Sequence, residues 1–216
     1  MSKVEGVSPA LIERAGVGSH YLNSARQSST LPLSDVIDQS AQFNELLGNH
    51  MELVIRELQV DDDLEKLTNL IHSAYAPHAA SGLKYWGTHQ TVEDTKKRIA
   101  MGICLVALLN GEYIATGLFR RPQPESPVGL YREPSVWTLA QFCVSPKFKG
   151  NGYGKAIHSQ GLKLLKEMGV STLALDTAEP AKALIKMYES WGYKLVGTCD
   201  WRPFTNYPSV VMSMAI

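Results

Sequence analysis

Apolar positions along this chain fall into two regimes, sparse before about residue 50 and sharply patterned after it. Leu53 to Leu58 reads as a strand. Asp61–Asp63 then offer N-caps to a helix whose face is Leu64, Leu67, Ile71 and Tyr75. Residues 76–90 read as a loop carrying Pro77, Gly82 and Gly87. Thr91 with Asp94 resembles a capping box opening a helix to about Met101. Cys104–Leu109 and Tyr113–Phe119 flank Asn110-Gly111 and predict a hairpin. Prolines at 122, 124, 127 and 134 make 120–135 a loop, and Val136–Val144 is the next strand. A helix follows over Tyr153–Met168, with Ile157, Gly161, Leu164, Leu165 and Met168 on one face and Gly169 ending it. Leu173 and Leu175 alternate in a strand from Thr172 to Asp176. Pro180 suits the first turn of a last helix with Leu184, Met187, Tyr188 and Trp191 on its buried face and Gly192 at its end. Strands over 193–199 and 208–215 close the chain. The order β α α β β β α β α β β predicts an α/β (α+β) fold, a mixed sheet with helices on its faces.

Residues 1–50 are rich in Ser, Ala, Gln and Asn, and the chain holds no internal repeat. One helix is expected there, from Ser34 as N-cap to Leu47, with Gly48 and Asn49 stopping it. We therefore divide the chain into an N-terminal extension, 1–50, of open role, and a domain over 51–216.

Composition narrows the function class. Lys plus Arg equals Asp plus Glu at 21 each, which argues against broad nucleic-acid binding. The balance is a cancellation between regions. Residues 134–166 hold lysines at 147, 149, 155, 163 and 166 and no acid, whereas 52–65 hold six acids against Arg56 alone. The three cysteines, Cys104, Cys143 and Cys199, have neither zinc spacing nor an even number for a disulfide framework, so no metal is expected. The longest apolar run, Ile103–Leu109, is too short for a bilayer, and the first twenty residues carry no secretory pattern. These features predict a cytoplasmic protein without a membrane partner.

The basic stretch contains the chemistry. Val136–Val144 ends, a turn with Gly150, Gly152 and Gly154 follows, and a helix begins. Backbone N–H groups in such a turn, with a helix N-terminus behind them, suit a pyrophosphate. A phosphate loop of the Gly-x4-Gly-Lys-Ser/Thr kind fails, because three residues separate Gly150 from Gly154 and Ala156 replaces the hydroxyl. A dinucleotide fingerprint fails because Lys155 takes the place of its third glycine.

Val144-Ser-Pro146 followed by Lys149-Gly-Asn-Gly152-Tyr-Gly154 resembles the acyl-CoA turn of the GNAT acetyltransferases. The likeness runs from about residue 53 to 216. Lys149 stands where the family has Gln or Arg, keeping a cation without the planar fork. A second match is Lys186-Met187-Tyr188-Glu-Ser-Trp-Gly192-Tyr193 in the last helix, with Ala181 at the family's Asn position.

The resemblance implies a mostly antiparallel central sheet with helices on both faces. It also implies acetyl-CoA as co-substrate and transfer of an acetyl group to a primary amine, of a small molecule or a protein. Lys149, Gly150, Asn151, Gly152, Tyr153, Gly154 and Lys155 would cradle the pyrophosphate. Phe142, Cys143 and Val144 would pair through their backbone with the pantetheine arm, and Tyr188 would protonate the departing thiolate. Many relatives place a glutamate base where this chain has Thr138, which cannot take that role. Glu133, His78 and His89 are the loop candidates. The acceptor is expected among Tyr75, His78, Tyr85, Trp86, His89, Trp201, Phe204 and Tyr207, with Tyr85, Trp86 and Tyr207 chosen as its contacts. That set suggests an apolar or aromatic amine. A covalent acyl-Cys143 is a weaker reading than a small buried strand residue. Two other classes stay open: a non-catalytic acyl-CoA-binding regulatory domain, favoured by Thr138 and Ala181, and a protein-interaction module using 1–50. Oligomeric state is open as well, a homodimer being common in families of this type.

Overall fold

The computed structural model describes residues 52–216; the helix expected over Ser34–Leu47 lies outside the described residues. Seven strands form one sheet: β1 (Leu53–Glu57), β2 (Gly102–Leu109), β3 (Glu112–Arg120), β4 (Val136–Val144), β5 (Thr172–Ala178), β6 (Lys194–Asp200) and β7 (Pro208–Ala215). Among the described residues four α-helices accompany them: α1 (Leu64–Ala80), α2 (Val92–Ile99), α3 (Tyr153–Glu167) and α4 (Lys182–Ser190). The sheet order is β1-β2-β3-β4-β5-β7-β6, and every neighbouring pair is antiparallel except β4–β5.

Local signals account for the element ends. Asp63 caps α1 by accepting from the Glu65 and Lys66 N–H groups. Thr91 and Asp94 form a reciprocal capping box on α2. Asn110 and Gly111 take positive φ of 50° and 79°, the twist a two-residue hairpin needs between β2 and β3. Leu105, Phe119, Leu139, Ile157, Leu175 and Met212 form the larger core, with α3 and α4 residues packed among them. Leu67, Leu70, Ile71, Val106 and Leu118 form a second core under α1.

Three boundaries differ from the sequence reading. Residues 76–80 are helical, not loop. Pro77 removes only one backbone donor near the end of α1, and the last turn closes through Ser81 N–H to the Pro77 carbonyl at 3.1 Å. β5 runs two residues past Asp176 because Thr177 and Ala178 stay paired with Val210 and Ser209 of β7. α4 starts at Lys182, so Pro180 precedes its N-cap, Ala181, instead of occupying the first turn.

The feature that positions the site is a divergence of β4 from β5. They pair only over Val136–Thr138 and Thr172–Ala174. Beyond Thr138, β4 stays bound to β3 and β5 to β7, so the two parallel strands open between them. A bulge reinforces the opening. Thr116 of β3 faces Cys143 while Leu118 faces Ala140, which leaves an extra residue on β4, where Gln141 has φ 49°.

Candidate active site

After β4 the chain makes a short 3-10 turn over Pro146–Phe148 and reaches Gly150 and Gly152, with φ of +85° and +81°. These values suit glycine and would strain any side chain. Gly152 is the N-cap of α3 and supplies no side-chain bond to it. Among the described residues, none of the backbone N–H groups from Lys149 to Lys155 has a partner; the first paired one is Ala156, bonded to the Gly152 carbonyl at 3.0 Å. Seven successive unpaired donors at a helix N-terminus form an anion cradle. Exposed Lys147, Lys149 and Lys155 add positive charge and make no salt bridge among the described residues. A Cβ on Gly154 would lie 3.3 Å from Phe142 and from Val144, so the glycine lets the helix start sit tight against β4.

The opened edge of β4 carries Phe142, Cys143 and Val144. Phe142 and Val144 turn their side chains to the larger core, where Phe142 meets Trp191 edge-on at 5.8 Å. Cys143 is buried under α1, and burial pushes its thiol up to about 12. A thiol held that firmly protonated makes a poor nucleophile. The Tyr75 hydroxyl donates to the Phe142 carbonyl at 3.3 Å. The edge is therefore partly supported from the α1 side.

Tyr188 sits on α4, buried, its ring against Trp191 and Tyr193 at 5.9 and 5.6 Å. Burial, followed by the neighbouring Tyr85, Asp176 and Cys143, raises its phenol well above the ordinary range. The hydroxyl makes no hydrogen bond among the described residues, and its raised pKa keeps it protonated at neutral pH. His158 and Tyr193 lie behind it, bonded at 2.9 Å, and burial lowers His158 to about 4.

Tyr85 and Tyr207 are brought together, 4.9 Å apart, with Tyr75 and His78 also against Tyr85. The Tyr85 hydroxyl bonds Thr177 Oγ1 at 3.2 Å, tying this aromatic group to β5. Trp86 packs instead on His89 and Phe204. Asn206 links the two loops by accepting from Lys84 N–H at 2.8 Å and donating to the Gly82 carbonyl at 2.7 Å. A cavity of about 440 Å³ lies between the end of α1 and the start of α4, lined by His78, Ser81, Leu83, Ala181 and Leu184 among others.

Thr138 is buried and accepts from Gln123 Nε2 at 2.9 Å, a structural task. Glu133 and His89 are exposed. His78 is lowered by burial and then by Lys149.

The group that the sequence reading missed is Asp176. It lies on the diverging part of β5, open to solvent yet walled by protein. Tyr131 donates to Oδ1 at 3.0 Å and Trp201 Nε1 to Oδ2 at 2.9 Å. Burial raises its carboxyl, and Tyr131, Trp201, Arg120 and Arg98 only partly offset that. The available signal was a single acid ending an otherwise apolar strand whose alternation turns it away from Leu173 and Leu175.

No helix among the described residues is long and apolar enough to cross a membrane, and no group of three His, Cys, Asp or Glu there could hold a metal.

Comparison with known proteins agrees with this geometry. The ribosomal-protein-S18-alanine N-acetyltransferase of Escherichia coli superposes with a TM-score of 0.59 at 18% identity, covering 76% of this chain and 94% of that one. A PaiA N-acetyltransferase from Thermoplasma acidophilum, solved in complex with coenzyme A, gives 0.59 at 16% identity, covering 77% and 100%. At these identities the likeness concerns the fold. A mycothiol acetyltransferase from Propionibacterium freudenreichii subsp. shermanii is 27% identical over 148 residues, 64% of this chain, and the match spans 42% of that relative's length. The profile described as the acetyltransferase (GNAT) family matches residues 64–193. That match covers more than half of the chain and contains the diverging strands, the glycine turn and the tyrosine helix: the chain belongs to the acetyltransferase (GNAT) family of acyl-transferring enzymes.

Proposed function

We propose that this protein is an N-acetyltransferase that moves the acetyl group of acetyl-CoA to a primary amine by direct attack. What supports the reading most directly is the run of unpaired N–H groups from Lys149 to Lys155 beside the opened edge of β4. When bound, acetyl-CoA supplies an acyl group activated as a thioester. The Lys149–Lys155 turn holds its pyrophosphate, with Gly150, Gly152 and Gly154 letting the backbone approach and Lys149, Asn151, Tyr153 and Lys155 flanking it. The β4 edge over Phe142, Cys143 and Val144 that faces away from β3 receives the pantetheine arm as an added strand and offers N–H groups to a carbonyl oxygen.

Tyr188 holds a proton on Oη, ready for a leaving sulfur. Its raised pKa keeps that proton in place at neutral pH, and burial places the donor where little water competes. Asp176, in place of the glutamate that Thr138 displaces, accepts the proton of the incoming ammonium directly or through one water. Its raised carboxyl moves its basicity closer to that of an amine. Tyr85 and Tyr207 form the apolar wall of the acceptor site.

The test is a panel of primary amines with acetyl-CoA, read as free-thiol release, alongside the thermal shift caused by coenzyme A. The reading predicts both a stabilisation and amine-dependent thiol release. Stabilisation without release from any amine would mark a non-catalytic acyl-CoA-binding domain.

A further inference from the structure

We propose that the acceptor amine carries a carboxylate in the same molecule, and that Arg98 and Arg120 bind it across from Asp176. This inference rests on the acetyltransferase reading and names its substrate class.

The two arginines reach one site from different elements. Arg120 ends β3, directly opposite Thr138 of β4. Thr138 pairs in turn with Ala174 of β5, and Asp176 is two residues further along the same face. Arg98 comes from the last turn of α2, and its Nε donates to Gln141 Oε1 at 3.1 Å, on the bulge where β4 opens. β3, β4 and β5 thus form a floor with Arg120 at one side and Asp176 at the other, and Arg98 enters over the bulge.

Neither guanidinium has a carboxylate within 4.0 Å among the described residues, although both are half-buried. Among the described residues the Arg98 side chain bonds only Gln141, and that of Arg120 only the Met101 sulfur. Arg120 Nε and Gln141 Nε2 are buried donors with no partner among the described residues. Half-buried arginines are ordinarily paired, because an unpaired charge loses hydration without compensation. Here burial lowers both, and Asp176 acts on both from a distance without reaching either.

The charges then identify the ligand. The site offers two guanidiniums and one carboxylate. A zwitterionic amino acid matches them group by group, its carboxylate meeting the arginines and its ammonium meeting Asp176, whereas a phosphate brings no cation for Asp176. Asp176 is already the group that faces the amine. The ligand therefore presents its amine to Asp176 and its carboxylate to the arginines, as an α-amino acid or a similarly short amino acid does. The aromatic wall of Tyr85 and Tyr207 favours an apolar or aromatic side chain on it.

Two measurements separate this inference from the function it rests on. The probes are L-phenylalanine, L-tryptophan and L-methionine, each with its amide, together with phenethylamine and tryptamine. Calorimetry on the coenzyme A-bound protein reads binding, and thiol release with acetyl-CoA reads turnover. The free acids should bind about tenfold or more tighter than their amides and decarboxylated forms, and Arg120→Gln and Arg98→Gln should each remove that preference. Both variants should keep the thermal shift with coenzyme A, which shows that they are folded. Turnover of amides and simple amines equal to or above that of the acids overturns the carboxylate site and leaves the acetyltransferase reading standing. Carboxylate-selective binding with no thiol release from any probe keeps the site and overturns acetyl transfer. Neither selective binding nor release overturns both.

Discussion

The Tyr131 hydroxyl donates to Asp176 Oδ1 at 3.0 Å, so a buried phenol from the loop before β4 holds the carboxylate on the diverging end of β5. This bond lowers an acid that burial raises. Asp176→Asn should reduce kcat/KM by about 10²- to 10⁴-fold, the usual worth of a general base, without changing coenzyme A affinity by calorimetry. Tyr131→Phe should act differently. Without its donor the carboxyl titrates at higher pH, so the low-pH limb of kcat/KM moves upward. A limb unchanged in Tyr131→Phe would remove Asp176 from the proton path.

The cradle predicts a cofactor effect separable from chemistry. Gly152 has φ +81°, and an added Cβ would meet nothing within 4 Å. Gly152→Val therefore strains the turn without a clash and reorients the N–H groups. Coenzyme A binding should weaken about tenfold or more, with only a small loss in Tm. Unchanged affinity would show that the Lys149–Lys155 donors do not hold the ligand.

Much of this arrangement is legible in the chain. Asn110-Gly111, the Thr91–Asp94 box and the strand-glycine-helix passage at 144–153 are local signals, and each is satisfied by neighbours a few residues away. Asp176, Arg98, Arg120 and Gln141 are not legible in that way. They come from four elements, and Arg98 reaches Gln141 at a bulge of β4 that no turn residue announces. The aromatic loop residues suggest a low-charge pocket, whereas the acceptor site we propose draws its charge from the sheet floor and α2. Pro77 misleads for a related reason: its missing donor matters little in a last turn closed by Ser81 and by Leu83 N–H to the His78 carbonyl at 2.9 Å.

Packing of α3 onto the sheet depends on Gly161. A methyl there would overlap the Phe119 ring, which is fully buried at 1% exposure. Gly161→Ala should cost about 1–3 kcal/mol and lower Tm by several degrees in a thermal melt. An unchanged or raised Tm would contradict the tight approach of α3 to β3.

Acid stability should depend on Asp62. It accepts from both Arg56 terminal nitrogens at 2.6 and 2.7 Å and from the Tyr113 hydroxyl at 2.7 Å, with 9% of its side chain exposed. Its hydrogen bond with the Arg56 guanidinium, above all, holds its carboxyl well below the usual range. A depressed folded pKa stabilises the fold above the unfolded value near ~4 and loses that contribution as pH falls below it. Asp62→Asn should cost about 2 kcal/mol in urea melts at pH 7, with the gap to wild type narrowing as pH falls below about 4. A gap independent of pH would contradict the assignment.

In the proposed reaction Tyr188 supplies the proton for a leaving sulfur at the opening between β4 and β5. The most direct measurement is amine-dependent thiol release by Tyr188→Phe, with coenzyme A affinity measured on the same preparation. Affinity should be unchanged and turnover reduced by about 10²-fold or more. Full turnover with intact affinity would contradict it.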